Sequence, residues 1–107
     1  MEDLNKGIIA ILKNGFFIRG EHEENLVPWS GINRIYCYKH DYLTHDLICM
    51  VICAEDTHPL RITEEMAGYQ NLLNAMWPLF PGAEQKYTQW KDSGTIDQGH
   101  FTIWKQI

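Results

Sequence analysis

The chain has 107 residues, of which 45% are hydrophobic and 21% charged, and its formal net charge is −5 from 14 acidic residues against 9 Lys and Arg. This length and composition predict one globular domain, residues 1–107, with a single hydrophobic core. The negative charge disfavours nucleic acid and anionic membranes as partners, because both present dense negative charge, and it favours a protein with a basic surface.

The first quarter of the chain predicts short strands. Residues 7–12 (GIIAIL) fit a helical turn or a strand, and residues 3–6 fit a helical lead-in. We favour a strand for 7–12, because Asn14-Gly15 separates two apolar runs and is typical of a hairpin turn in which both residues accept a positive φ. Residues 26–29 fit a third strand, and Pro28 places it at an edge or ends it, because proline cannot donate to a ladder.

Two strands, residues 33–39 and 46–53, are expected to form the centre of a sheet. Side chains alternate along a strand, so Ile35 and Cys37 are predicted on one face and Tyr36 and Tyr38 on the other. Residues 46–53 (DLICMVIC) form an apolar run rich in branched side chains. Such a run is typical of a strand buried on both faces, and it is too short to span a membrane.

The second half predicts one main helix over residues 64–77, after a brief strand at 60–62. Thr63 fits its N-cap, and Glu64 and Glu65 fit its first turn, where the helix dipole favours acids. Its apolar stripe consists of Met66, Tyr69, Leu73, Met76 and Trp77. Residues 83–90 fit a second short helix and 100–105 a last strand. The predicted fold is α+β, with a mostly antiparallel five- or six-stranded sheet and one main amphipathic helix packed on one face.

Three cysteines, Cys37, Cys49 and Cys53, fall within predicted strands. Their odd count argues against a disulfide framework, and Cys49 and Cys53 would lie about 13 Å apart on one strand face, too far to bridge. The chain opens with Met1-Glu2-Asp3, which is not a basic signal start, and no apolar run approaches ~20 residues. These features predict a cytoplasmic protein with buried thiols.

Two His-Asp pairs, His40-Asp41 and His45-Asp46, flank the turn between the central strands. Imidazole and carboxylate groups can hold a divalent metal or form an oriented general base. No third group has ligand spacing, and no nucleophile or oxyanion donor accompanies them, so we predict no metal, no cofactor and no catalytic residues. Asp41, Thr44 and Asp46 are expected to accept hydrogen bonds from amides at the turn.

The four tryptophans, Trp29, Trp77, Trp90 and Trp104, could form an aromatic cage or a base-stacking platform. The acidic charge of the chain disfavours base stacking, so we expect most of them in the core.

The acidic residues are expected at the surface, and they form two groups along the sequence. They are either a solvated rim or a patch that meets a basic partner surface and steers its association. We favour the second group for partner binding, because a helix start and strand ends would hold its carboxylates rigidly. The first group is Glu21, Glu23 and Glu24, and the second is Glu55, Asp56, Glu64 and Glu65.

Four motifs occur between residues 26 and 105: Trp29-x-x-Ile32-x-x-Ile35-x-x-Tyr38-Lys39-x-Asp41-x-x-Thr44-x-Asp46-Leu47-Ile48-Cys49, then Ile62-x-Glu64-Glu65-Met66-x-Gly68-Tyr69, Thr95-Ile96-Asp97 and Phe101-Thr102-Ile103-Trp104. In these motifs the chain resembles a group of small bacterial proteins that includes immunity proteins of contact-dependent and polymorphic toxin systems. The strand order followed by a helix also resembles a pleckstrin-homology (PH) type sheet, although the C-terminal strand departs from that pattern.

The resemblance implies a non-enzymatic protein that binds a cognate toxin and occludes its active site. A basic nuclease is the partner that the acidic charge would suit. The alternative is a PH-like module that binds a peptide or a small ligand, and the sequence leaves the oligomeric state open.

Overall fold

The computed structural model describes residues 7–20, 24–41, 46–92 and 99–106. Seven strands, two α-helices and one short 3-10 helix occur in these ranges. They are β1 (Ile8–Leu12), β2 (Gly15–Arg19), β3 (Glu24–Pro28), the 3-10 helix (Trp29–Gly31), β4 (Ile32–Asp41), β5 (Asp46–Ala54), β6 (Leu60–Thr63), α1 (Tyr69–Met76), α2 (Ala83–Asp92) and β7 (Phe101–Lys105).

The described strands form two antiparallel sheets, one in the order β1-β2-β3 and one in the order β6-β5-β4-β7. The predicted α+β class and antiparallel pairing are confirmed, whereas two sheets replace the single sheet of five or six strands. Pro28 explains the division, because it ends β3 and leads into the 3-10 helix, which starts β4 in a separate sheet.

The hairpin between β1 and β2 is confirmed, with its turn one residue earlier than predicted. Leu12 pairs directly with Gly15, so Lys13 and Asn14 form the loop. The positive φ angles of the described residues are at Asp56, Gly68 and Gly82 and not in this turn. The glycine instead allows β3 to approach, since a Cβ on Gly15 would overlap the carbonyl oxygen of Val27.

Helix α1 begins at Tyr69 rather than at Glu64, and the predicted Thr63 N-cap is wrong. Thr63 is the last residue of β6, where it pairs with Cys49. The next segment is held by hydrogen bonds from Ile9 N–H to the Ala67 carbonyl (2.8 Å) and from Ala67 N–H to the Gly7 carbonyl (3.2 Å). These tertiary bonds outweigh the local helix-start pattern.

The core fills the space between the two sheets and the helices. The faces predicted for β4 are confirmed, because Ile35 and Cys37 are fully buried and Tyr36 and Tyr38 are half-buried. The second short helix is confirmed as α2, which extends to Asp92 and buries Trp90. The largest fully buried side chains are Phe16, Ile32, Ile35, Met50, Ile52, Ile62, Leu72, Met76 and Ile103.

Candidate functional site

The three-stranded sheet has one face packed on the core and one face in solvent. Directly paired residues of antiparallel strands share a face, and three cross-strand rows follow from the register. Exposure is high on the solvent side, at 65% for Leu26, 54% for Ile8 and 44% for Leu12. This surface, here named the apolar face, consists of the rows Leu12/Gly15/Pro28, Ala10/Phe17/Leu26 and Ile8/Arg19/Glu24. Exposed contiguous apolar side chains of this kind mark interaction surfaces.

A depression of about 350 Å³ opens at one end of the apolar face, around Gly15. Leu12, Gly15 and Pro28, which form one cross-strand row, lie along this depression. Leu26 and the turn residues Lys13 and Asn14 complete its wall. Its size is at the lower end of the range for ligand pockets, roughly 300–1,000 Å³.

Glu24, the described member of the first acidic group, lies at the opposite end of the apolar face. Glu24 Oε2 is 3.3 Å from Arg19 Nε, and both side chains are more than half exposed. Glu21 and Glu23 lie outside the described residues. The apolar face therefore ends in an exposed ion pair between Arg19 and Glu24.

The structure does not bring the second acidic group together. Glu55 and Asp56 form the exposed turn after β5, where Glu55 N–H donates to the Gly31 carbonyl at 3.0 Å and Asp56 has a φ of 64°. Glu64 lies opposite Ile48, near the other end of β5. Seven residues of strand separate these two places, about 20 Å.

Glu64 also has a structural partner within the sheet. Its Oε1 accepts a hydrogen bond from the Ile48 N–H at 3.0 Å, and its own N–H donates to the Ile48 carbonyl at 3.1 Å. Glu64 thus continues the ladder of β6 beyond Thr63. The adjacent Glu65 is exposed. Rigid support for Glu64 was expected from a helix start, and the sheet edge provides it instead.

The four-stranded sheet also has an outer face, opposite the core. Its strand positions carry no Asp or Glu among the described residues, although the chain is acidic overall. We name this surface the cationic face. It consists of Arg34, Tyr36, Tyr38 and His40 on β4, Leu47, Cys49, Val51 and Cys53 on β5, Arg61 and Thr63 on β6, and Thr102 and Lys105 on β7, with His100 just before β7.

Stacked side chains hold the centre of the cationic face in place. The Arg34 guanidinium carbon lies 4.6 Å from the centroid of the Tyr36 ring, and Arg34 Nε and Nη2 donate to Thr102 Oγ1 at 3.2 and 2.9 Å. His100 stacks on Tyr36 with centroids 4.7 Å apart and lies 5.2 Å from Tyr38. These contacts preorganise the cluster for binding.

Tyr38 links the cluster to β5 and β6. It forms side-chain hydrogen bonds with Arg61 and with Cys49. Burial raises the pKa of Tyr38 and of the Cys49 thiol, and the hydrogen bond to Arg61 partly opposes the rise at Tyr38. Burial likewise raises the pKa of Cys37 to about 12. These groups are therefore protonated at neutral pH.

The predicted His-Asp pairs are only partly described. Asp41 pairs with Asp46 where β4 ends and β5 begins, and His40 pairs with Leu47, whereas His45 lies outside the described residues. Within the ranges that the structure describes, no group of three or more His, Cys, Asp or Glu side chains could hold a metal ion. In the same ranges, no helix has the length and apolar character needed to cross a membrane.

The tryptophans belong mainly to the core, as predicted. Trp90 is buried on α2, and Trp29, Trp77 and Trp104 are partly buried and packed against the core cluster.

Scans against models of protein families, curated proteins and solved structures each find no match to this chain.

Proposed function

We propose that this protein is a non-enzymatic cytoplasmic binding protein of the immunity type, which neutralises a cognate bacterial toxin by occluding its active site. The proposed toxin has a basic surface, and a nuclease is favoured. The observation that carries the proposal is the apolar face, with its exposed Leu26, Ile8 and Leu12 and the ion pair between Glu24 and Arg19 at one end.

Protein interfaces commonly have an apolar centre that is desolvated on binding and a polar rim that sets register. The apolar face offers such a centre, and the exposed pair of Arg19 and Glu24 offers a charged rim. Acidic charges at a rim steer a basic partner and raise its association rate. We therefore favour the first acidic group for steering over Glu55, Asp56, Glu64 and Glu65, because its member Glu24 lies on the apolar face and Glu21 and Glu23 precede it in the sequence.

Protection of living cells tests the proposal. The protein is co-expressed with candidate toxins taken from the genes that neighbour its own, and growth is compared for wild type, Leu26→Arg and Leu79→Arg. Both leucines are exposed, at 65% and 47%, but Leu79 lies outside the apolar face. Leu26→Arg is expected to abolish protection because it places a cation against a basic partner, and Leu79→Arg is expected to protect fully. Full protection by a folded Leu26→Arg variant would overturn the proposed interface.

Association kinetics test the steering role of the acids. One variant reverses Glu21, Glu23 and Glu24, and the other reverses Glu55, Asp56 and Glu65. The first is expected to slow association more, and raising the salt concentration should reduce the difference, because exposed charges are screened over about 8–10 Å. Equal rates for both variants at low salt would remove steering by the first acidic group.

The second candidate function is a PH-like module that binds a peptide or a small ligand, and the depression at Gly15 favours it. N-acetyl-leucinamide is a suitable probe for an apolar pocket of this size. Saturable NMR shifts at Leu12 and Leu26 on titration, combined with no protection against any neighbouring toxin, would support this candidate over the first.

A further inference from the structure

The cationic face gathers like charges on one side of an acidic protein. Arg34, Arg61 and Lys105 supply 3 of the 9 Lys and Arg residues of the chain, and His100 lies beside them. Arg34 and Lys105 are direct cross-strand partners. Like charges directly opposite in a sheet are destabilising, so this pairing does not serve the stability of the fold. It is suited to an anionic group that approaches from outside.

The chemistry of the cluster identifies the kind of anion. A guanidinium presents five N–H groups in a planar fork that matches a carboxylate. Thr102 accepts from Nε and Nη2 of Arg34 and, with the Tyr36 ring, orients its guanidinium, and Tyr38 orients Arg61. A carboxylate would therefore bind Arg34 at the edge formed by Nη1 and Nη2. Oriented forks lose less entropy when they bind, and charge-assisted hydrogen bonds to carboxylates are among the stronger ones in proteins.

A nucleic acid would supply phosphates to the same cations, but the aromatic side chains argue against it. Sheet proteins that bind single strands stack bases on open aromatic rings. The Tyr36 ring already contacts His100 at 4.7 Å and the Arg34 guanidinium at 4.6 Å. The net charge of −5 also repels an extended phosphate backbone. Tyrosine and arginine are, in contrast, the residues that most often dominate protein interfaces.

We propose that the cationic face is a second docking surface, which binds an acidic segment of a partner protein through the forks of Arg34 and Arg61. It lies on a different sheet from the apolar face. The inference therefore stands whether or not the toxin-binding function is correct, and it adds a second partner or a second contact region to that function.

NMR titration of the full chain with a blocked peptide of alternating Glu and Ala tests the proposal. The Nε–H signals of Arg34 and Arg61 are expected to shift with saturation. Replacing both arginines by glutamine is expected to weaken binding by about tenfold or more. The control replaces Lys86 and Lys91 by glutamine, which changes the net charge by the same amount at exposed positions on α2 and is expected to leave binding nearly unchanged.

If Arg34→Gln/Arg61→Gln does not fold, the exposed pair Arg61→Gln/Lys105→Gln takes its place with the same expectation. Absence of saturable shifts, or equal weakening by the control, would overturn the proposal. Tighter binding of polyuridylic acid than of the acidic peptide would overturn it in favour of nucleic acid. Cell protection by the arginine variants, measured separately, reports on the toxin-binding function and is independent of peptide binding.

Discussion

The phenol oxygens of Tyr69 and Tyr87 lie 2.8 Å apart and form a buried hydrogen bond between α1 and α2. The Trp77 ring lies 5.4 Å from the Tyr87 ring and packs beside this bond. Buried polar groups are costly without a partner, so each hydroxyl needs the other. The pair therefore specifies how the two helices dock on each other.

Tyr69→Phe and Tyr87→Phe are each expected to lower the free energy of unfolding by about 1 kcal/mol, because each leaves the remaining hydroxyl without its partner. The double variant should cost less than the sum of the two single variants, since it removes both polar groups together. Chemical denaturation of the wild type, the two single variants and the double variant gives the coupling free energy between the two hydroxyls. Additive effects would show that the bond is not formed in solution.

Alkaline pH is expected to destabilise the protein through the same pair. Burial raises the pKa of Tyr69 and of Tyr87, so the folded state favours the neutral phenols. Their contribution is fully present below the unfolded-state pKa of about 10 and is lost as pH rises above it. The denaturation midpoint should therefore fall above about pH 10, and less steeply in Tyr69→Phe/Tyr87→Phe. An equal fall of the midpoint with pH in the wild type and the double variant would contradict this.

Leu73→Ala is expected to cost about 2–5 kcal/mol, because Leu73 is 3% exposed and its removal leaves a cavity under α1. Leu79→Ala is the matched control at an exposed position and should change stability by no more than about 0.5 kcal/mol. Urea denaturation of both variants provides the measurement. Equal midpoints would mean that α1 does not pack on the core.

Gly15→Ala is expected to cost about 1–3 kcal/mol, because the new methyl group would overlap the Val27 carbonyl oxygen and push β3 away. Gly31→Ala meets no atom within 4 Å and should have little effect. Thermal melting distinguishes the two variants. A Gly15→Ala melting temperature equal to that of Gly31→Ala would show that β3 does not approach β2 so closely.

Glu64→Ala is expected to lower stability by about 1 kcal/mol, because the Ile48 N–H loses its acceptor at the end of the sheet. The neighbouring Glu65→Ala should change it by less than about 0.5 kcal/mol. Hydrogen exchange at the Ile48 amide is the more direct readout and should accelerate only in Glu64→Ala. Unchanged exchange would mean that the carboxylate stays in solvent.

Local pattern alone was sufficient for much of the fold. Alternation in residues 33–39 correctly assigned Ile35 and Cys37 to the core and Tyr36 and Tyr38 to the other face. Pro28 marked the end of β3, and the spacing of Tyr69, Leu73 and Met76 marked the buried stripe of α1. These features depend on the side-chain periods of strands and helices, two and 3.6 residues, and on the geometry of proline. Both are local properties that do not depend on the tertiary structure.

Only the tertiary structure decided how distant segments meet. Thr63 joined β6 because Cys49 offered it a ladder partner, and this shortened the predicted helix. Arg61 and Lys105 came to share the outer face of the sheet with Tyr36 because the strand order is β6-β5-β4-β7. The two halves of the second acidic group were separated by the length of β5. Pairing order and register are chosen by the burial of the whole core and not by neighbours in sequence, so no local pattern contains them.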